Sequence, residues 1–457
     1  MTGSSIAVLG AGFAGAAVAQ ELARLLPGEE DGAITLVDQN NFSLFTPMLT
    51  EVVGGQVDPG DIVTAVRTLS PRVTFEQGRV DEIDVSSCTV TITVGRAEAG
   101  IPEVQRRIEA DHLVIALGSV TNFHGISGLA EHALTIKSVG EAATIRDRTL
   151  ALLERADEEP DRQTRRTLLT FVVGGGGFSG VETMAALNDL VRESASRYPH
   201  VDEGDIRTVL VHPGDRVLPE IGKSLASYAE RKLRGRGVEV VLDTLVKGAG
   251  AEYVEVESSQ THERWKIPAR TLVWAGGVTP SPVIGRTTLE RGRHGGIVVD
   301  ACCRVPGHPG IWALGDCAEI LEPGQKSTYA PTAQNAMREG KQVARNIVAT
   351  LRGGQAQPFV YHPIGELAIV GRRSGVASIY GMRFSGTLAW AMWRAIYLAK
   401  LPGRAQRTRV GLDWLLDLVF GREVATGYEA SAGAGALDTH QDQATREKEG
   451  KAAASDS

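Results

Sequence analysis

The feature that most constrains this chain is a glycine-rich turn that occurs twice. Near the N-terminus the apolar run Ile6–Leu9 leads into Gly10-Ala11-Gly12-Phe13-Ala14-Gly15. Far downstream, Leu168–Val173 leads into Gly174-Gly175-Gly176-Gly177-Phe178-Ser179-Gly180. Each turn follows a strand-like segment and precedes an Ala-rich, helix-like one. The first glycine of such a turn allows the tight bend. The second lets the backbone approach a pyrophosphate, and the third lets the helix pack closely on the strand. The pyrophosphate then rests on the free amides and positive dipole end of the helix. These roles fall on Gly10, Gly12 and Gly15, and on Gly175, Gly177 and Gly180. A single turn of this kind also arises as a purely structural bend. Two in one chain point to two nucleotides face to face, the arrangement for passing a hydride between cofactors.

Ile34–Val37 reads as the strand after the first turn, and it ends in Asp38, suitably placed for ribose hydroxyls. The gap to Asp38 is long, and Pro27–Gly32 reads as the inserted loop. Further short strands are expected at Val73–Phe75, Val80–Val85, Thr89–Val94 and Leu113–Ala116. The last runs into Gly118-Ser119, a small-residue turn that lets backbone come close to a cofactor. In the second half, Ser138–Ala156 reads as a charged helix, Leu168–Val173 as a buried strand and Val181–Glu193 as its crossover helix. Thr208–Val211, Val238–Val241 and Leu272–Trp274 follow as strands. Val298–Asp300 and Gly310–Asp316 return to the first unit, and residues 332–350 carry a strong helical pattern.

A length of 457 residues allows two or three domains. The net charge of −7 argues against nucleic-acid binding. Four cysteines (Cys88, Cys302, Cys303, Cys317) form neither a disulfide framework nor a CxxC metal site, which fits a reducing compartment. The nucleotide fold is expected to start almost at once, so nothing at the N-terminus resembles a signal peptide. No apolar run reaches the roughly 18–20 residues needed to span a bilayer.

From about residue 358 the character changes. Pro358–Ile379 reads as strand-rich, Ser385–Leu398 as an apolar aromatic run and Trp414–Phe420 as a second apolar helix. Residues 429–457 hold almost no large apolar groups and are expected to be a disordered tail.

With these segments in hand, the chain resembles the type II NADH:quinone oxidoreductases, the single-subunit, non-proton-pumping NADH dehydrogenases. The resemblance runs over roughly residues 4–425. It is carried by Asn41–Leu49, Ala116–Phe123, Gly180-Val181-Glu182, Trp274–Val278, Ala313–Ala318 and the run Leu388–Phe420. It implies an α/β flavoprotein of the glutathione-reductase-like kind, with two Rossmann-like domains and a C-terminal membrane-associating region. Residues 1–118 with 300–357 are expected to bind non-covalent FAD, and 119–299 to bind NADH. Residues 358–428 are expected to serve membrane anchoring and dimerisation.

Carried over residue by residue, the resemblance implies that Gly10, Gly12 and Gly15 cradle the FAD pyrophosphate and that Asp38 holds its ribose. Thr46 and Pro47 lie along the flavin ring, Gly118 near the cofactor, and Asp316 on the ribityl chain or pyrophosphate. A bland alternative makes Asp316 a helix N-cap. Gly175, Gly177, Gly180 and Gly276 fall to NADH, and Glu182 lies beside the nicotinamide and flavin rings. A carboxylate near the start of a helix also complements its dipole, the bland reading of Glu182.

Two departures stand out. Where many members of the family carry an acid for the NADH ribose, this chain has His212. A neutral imidazole still hydrogen-bonds a ribose hydroxyl but rejects a 2′-phosphate less strongly; NADH is the expected donor. On the helix after Asp316 the family pattern is Ala-Gln and then a Gln pair before Gly. Here Gln334 is kept, while Arg338 and Glu339 replace the pair. Gln334 and Arg338 share a helical face, where Arg338 can donate to a quinone carbonyl.

The stretch from Arg383 to Arg422 combines aromatics with Arg383, Arg394, Lys400, Arg404, Arg407, Arg409 and Arg422. That mixture suits an interfacial anchor on a lipid surface or a homodimer interface. The expected setting is the cytoplasmic face of the cell's inner membrane, held peripherally, with menaquinone or ubiquinone as acceptor. The rival readings are a disulfide reductase, a sulfide:quinone oxidoreductase and a non-turnover redox sensor. Residues 40–55 lack the cysteine pair of the first. The second needs spaced cysteines near the flavin, whereas Cys302 and Cys303 are adjacent.

Overall fold

The computed structural model of the chain describes residues 3–28, 32–325 and 327–420. The expected tail, Arg422 and the middle of the Pro27–Gly32 loop lie outside them. Two parallel sheets organise the molecule. The first has the spatial order Ile311–Ala313, His112–Ile115, Ile6–Leu9, Ile34–Asp38, Val73–Gln77. The second has Leu134–Thr135, Thr271–Trp274, Thr170–Gly174, Arg207–Val211, Val238–Val241. In each, the strand that feeds a glycine turn lies at the centre. Both turns therefore sit at the carboxyl end of a central parallel strand, where ligands bind in open α/β sheets. Such strands are covered on both faces, which is why Ile6–Leu9 and Thr170–Gly174 are buried at every position.

Each sheet carries an antiparallel excursion of three strands. These are Arg79–Asp84, Thr89–Arg96 and Ile101–Glu109 in the first, and Thr244–Gly250, Tyr253–Ser258 and Arg264–Pro268 in the second. A ribbon of Ser119–Thr121 against Val278–Pro280 marks where the chain crosses into the second unit and returns. Ile284, Leu289 and Ile297 already pack in the core of the first unit. The helix Ala333–Leu351 lies on the helix Phe13–Leu25, in backbone contact at Gly340, where a Cβ would come within 2.6 Å of Ala14 O.

Four local expectations are corrected. The strand into the second turn begins at Thr170, because Asp161 caps a helix over Arg162–Leu168 that takes up Leu168 and leaves Leu169 as its C-cap. Ile101–Glu109 is a further strand, exposed along nearly all its length and so without apolar alternation. Met382–Gly386 is a third C-terminal strand, antiparallel in the sheet with Gly365–Ile369 and Gly375–Ile379. The last helix begins at Arg404, ten residues before the apolar segment that announced it, after Gly403 at φ +86°.

The C-terminal sheet and the helices Thr387–Lys400 and Arg404–Phe420 extend the core of the second unit. Trp393, Val410, Trp414, Leu367 and Val376 share one apolar cluster with Met184 and Leu187 of the crossover helix Phe178–Ala195.

Candidate active site

The two turns match closely at their outer glycines. Gly10 has φ +98°, and a Cβ there would lie 2.3 Å from Ala116 O; at Gly175 the values are +115° and 2.4 Å from Ala275 O. A Cβ on Gly15 would meet Gly10 O at 1.8 Å, and one on Gly180 would meet Gly175 O at the same distance. Packing alone therefore requires the outer glycines. The middle ones differ. Nothing lies within 4 Å of a Cβ on Gly12, and only Glu220 Oε1, at 3.7 Å, near one on Gly177. Each heads its helix with no side-chain cap, leaving first-turn amides open to an anion. This open space beside undercapped amides fits a pyrophosphate at both turns.

The strand next to each turn closes it in the same way. Asp38 Oδ2 accepts Ala11 N–H at 2.7 Å, and Oδ1 accepts Asn40 N–H at 2.7 Å. His212 Nδ1 accepts Gly176 N–H at 3.0 Å. Burial raises Asp38 against its amide donors and lowers His212.

On the first unit, a cleft of about 230 Å³ is lined by Gly315, Asp316, Thr328, Tyr329, Asn335 and Glu339 among others. Asp316 is the middle residue of a 3-10 turn, not a helix cap; Thr332 caps the following helix. Its Oδ2 accepts Ser119 Oγ–H at 2.6 Å, and Lys137 Nζ donates to Ser119 Oγ at 3.0 Å. Gly118 has φ +63° with open space where a side chain would stand. Glu339 is buried, accepts Gly315 N–H at 2.8 Å, and is pushed up to about 7 by burial. Thr46 and Pro47 form a short turn after Phe45. The Phe45 ring stands edge-on to Phe13 at 5.8 Å and to Tyr397 at 6.0 Å, so this turn joins the first glycine turn to the C-terminal layer.

Glu182 lies one full turn inside its helix, which starts at Phe178, so its carboxyl does not serve the helix terminus. Instead Oε1 accepts Ile369 N–H of the C-terminal sheet at 2.9 Å. Desolvation, with a smaller push from Glu51, raises it to about 8. Glu51, Thr50, Gln56, Ala186 and Trp390 line the same narrow crevice. Glu51 Oε2 accepts Trp414 Nε1–H at 2.9 Å. Gly276 stands against the Trp274 ring, where a Cβ would clash at 2.2 Å, and its carbonyl lies 3.2 Å from His124 Nε2.

Gln334 and Arg338 come together around Tyr361. Gln334 Oε1 accepts the Tyr361 hydroxyl at 3.1 Å, and the Arg338 guanidinium lies 4.2 Å over the Tyr361 ring. Arg338 Nη1 also donates to Gln334 O at 3.2 Å. The Lys400 ammonium is held below its ordinary range by burial and then by the Arg338 charge. Lys137, Glu51, Tyr397 and Lys400 are site residues that the sequence left unassigned to it, and Glu339 stood there only as a substitution. For Lys400 a signal existed, its place at the end of the aromatic helix, but it was counted as a lipid-facing cation.

The C-terminal layer corrects that count further. Arg394 is only 7% exposed, its guanidinium 4.4 Å from the Trp390 ring and 4.6 Å from Trp414. It lies 3.8 Å from Glu51 and 4.0 Å from Asp417, itself buried. Trp393 and Trp414 are buried too, so these groups face the protein. A cation cannot leave water without aromatic or anionic partners, and this set supplies both. The exposed apolar groups here instead include Leu388, Met382 and Tyr380, with Leu412, Leu415, Leu416, Leu418 and Phe420 on the last helix.

The four cysteines are free, and none is among the groups lining the two crevices. Burial raises all four thiols, most of all Cys303 and Cys317, away from the reactive thiolate that sulfide chemistry needs.

A family model described as pyridine nucleotide-disulphide oxidoreductase matches residues 4–340, and one described as NDH2 C-terminal domain matches 364–423. The chain is 30% identical over 428 residues to the type II NADH:quinone oxidoreductase Ndh of Mycobacterium tuberculosis, covering 91% of this chain and 88% of that protein. It is 29% identical over 394 residues to the type II NADH:quinone oxidoreductase of Staphylococcus aureus, covering 86% and 93%. Among solved structures, NDH2 from Plasmodium falciparum in complex with NADH superposes with a TM-score of 0.84 at 20% identity, over 92% of this chain and 99% of that one. At that identity the likeness is one of fold.

Proposed function

From the premise that this chain belongs to the type II NADH:quinone oxidoreductases, and so is an NADH dehydrogenase with a quinone acceptor, we propose a FAD-dependent, ping-pong enzyme that works on a membrane surface without pumping protons. The amides behind Gly12, with Asp38 and Asp316, would hold FAD at the first turn, where it would supply the redox chemistry between NADH and menaquinone or ubiquinone. The observation that carries this reading is the doubled turn with an open middle glycine, Gly12 in one unit and Gly177 in the other.

The division expected from the sequence, 1–118 with 300–357, 119–299 and 358–428, is part of the proposal. Within it, amides behind Gly12 and Gly177 hold the two pyrophosphates, and Asp38 and His212 fix their turns beside the adenosine riboses. Lys137 and Ser119 orient Asp316 toward the ribityl chain. Gly118 and the Thr46–Pro47 turn leave room for the ring. Burial pushes Glu182 up to about 8, which favours its protonated form near neutral pH. It therefore offers a hydrogen-bond donor near the reacting rings. Gln334 and Arg338 place donors where a quinone carbonyl can reach them.

Among the described residues no helix is long and apolar enough to cross a membrane. The exposed leucines of Arg404–Phe420 and the neighbouring Leu388, Met382 and Tyr380 form the surface that we assign to the cytoplasmic face of the inner membrane. The chain acts there as a homodimer in this reading.

The test is anaerobic mixing of the purified protein with NADH, then with a menaquinone analogue, following flavin absorbance. Bleaching followed by recovery is expected. Bleaching without recovery overturns the quinone half and favours a redox sensor.

A further inference from the structure

The two glycine turns share their backbone but not the side chain that closes them. Gly10 N–H donates to Val37 O at 2.7 Å and Gly175 N–H to Val211 O at 2.9 Å. Ala116 N–H donates to Leu9 O at 2.9 Å and Ala275 N–H to Gly174 O at 2.8 Å. At the end of the neighbouring strand, Asp38 and His212 then take the amide between the first two glycines. They hold equivalent stations with opposite polarity.

A carboxylate at this station presents acceptors and a full negative charge. It suits the two hydroxyls of an adenosine ribose and repels a phosphate on the 2′ oxygen. An imidazole whose Nδ1 lone pair is held by Gly176 N–H carries its proton on Nε2. His212 thus presents a donor and no charge. Protonation would turn an Nδ1–H against the Gly176 N–H, and burial also disfavours it, so the neutral ring is the working form.

We propose that the second nucleotide site is permissive at the adenosine 2′ position, so that NADPH serves as a hydride donor alongside NADH. This rests on the reading of the second turn as the NADH site.

The charges around the ring set a limit on that tolerance. Asp215 is ion-paired with Arg216 at 3.3 Å, and Asp243 accepts Gln260 Nε2–H at 3.0 Å. Glu220 stands near Gly177. The one cation among these groups, Arg216, is engaged by Asp215, and the other charged ones are acidic, so these groups do not select for a phosphate. NADPH is therefore expected to be accepted but not preferred, about tenfold below NADH in kcat/KM.

The test uses the FAD-loaded enzyme and two variants, His212→Asp and His212→Asn. Asparagine keeps an uncharged acceptor for Gly176 N–H; aspartate restores the charge of the first turn. Flavin bleaching is followed anaerobically with NADH and with NADPH, and NADP+ binding is titrated by calorimetry. The wild type and His212→Asn should bleach with both nucleotides and bind NADP+. His212→Asp should lose NADPH and NADP+ by at least about tenfold while NADH bleaching persists. Two results overturn the proposal: a wild type bleached by NADH alone, or equal loss of NADPH in both variants. Bleaching by neither nucleotide overturns the underlying reading as well, and the NADH arm tells the two failures apart.

Discussion

Glu339 and Glu182, one in each nucleotide unit, are alike in chemistry and unlike in what holds them. Each accepts one backbone N–H, from Gly315 at 2.8 Å and from Ile369 at 2.9 Å. Burial lifts the first to about 7 and the second to about 8. Glu339 rides on a helix pressed against Phe13–Leu25 at Gly340, so its surroundings are mostly first-unit elements, with Val278 and Pro280 of the crossing ribbon at the rim of the same cleft. Glu182 has its amide partner in the C-terminal sheet, its charged neighbour Glu51 in an early short helix, and Trp393 in the C-terminal helices. Three distant stretches of chain build that crevice. A carboxyl walled by its own unit is insulated, whereas one walled from three places registers a change in any of them.

Arg394→Ala should show this most strongly. It removes a buried cation from between Glu51 and Asp417 and two indole rings. The expected loss is about 3–5 kcal/mol in urea unfolding. The counterpart on the helix that carries Glu339 is Arg345, ion-paired with Glu21 at 3.1 Å but with its own side chain 56% exposed. Arg345→Ala should cost under about 1 kcal/mol. Equal losses would break the contrast between a walled crevice and an insulated one.

What the sequence revealed follows the same line. The glycine turns were legible because their spacing is local, with Gly15 and Gly180 packed on the turns they close, although Gly10 and Gly175 are confined by the distant carbonyls of Ala116 and Ala275. Asp38 was legible because its strand is the next one along. Asp316 was legible through its segment, although the structure makes it a turn residue and not a cap. Glu182 was found by resemblance, while its reading as a dipole partner failed because the helix starts a turn earlier than its carboxyl. Arg394 and Trp414 fall in the stretch that reads as a lipid-surface anchor or a homodimer interface. An aromatic, basic helix pattern does not say which face meets protein, and Glu51, which decides it, lies in another domain's sequence. Glu339 stood only as a replacement for one of the Gln pair for a similar reason, since Gly315 N–H and the cleft appear only in three dimensions.

The two carboxyls should separate in a pH series. Both have folded-state values above the ordinary 4.5, so the folded protein holds more protons than the unfolded chain within each window. Their contribution to stability is full below about pH 4.5 and is lost as pH rises, by about 7 for Glu339 and about 8 for Glu182. Glu182→Gln should flatten the decline over the wider window, and Glu339→Gln only over its lower part. Denaturation midpoints of the three proteins, measured between about pH 5 and about pH 9, provide the check. Identical profiles for the two variants would mean that the crevices are one coupled system.

The smallest effect on folding should come from the outer face of the molecule, where the two C-terminal helices part company. Thr387–Lys400 turns Trp393 and Arg394 inward, while Arg404–Phe420 leaves Leu412, Leu415, Leu416 and Phe420 in solvent. Arg409 reaches Asp61 at 3.3 Å and Arg407 Nε donates to Leu401 O, so part of the basic charge is spent within the protein. Apolar burial then has to supply most of any lipid attachment, at about 1.5–3 kcal/mol for each leucine taken out of water. Leu415→Glu with Leu416→Glu should leave unfolding within about 0.5 kcal/mol for each exposed site. It should also sharply reduce sedimentation with anionic vesicles, while Arg404→Gln alone should have little effect. If Arg404→Gln releases the protein and the leucine pair does not, attachment is electrostatic, and the exposed leucines are better assigned to the contact between two copies of the chain.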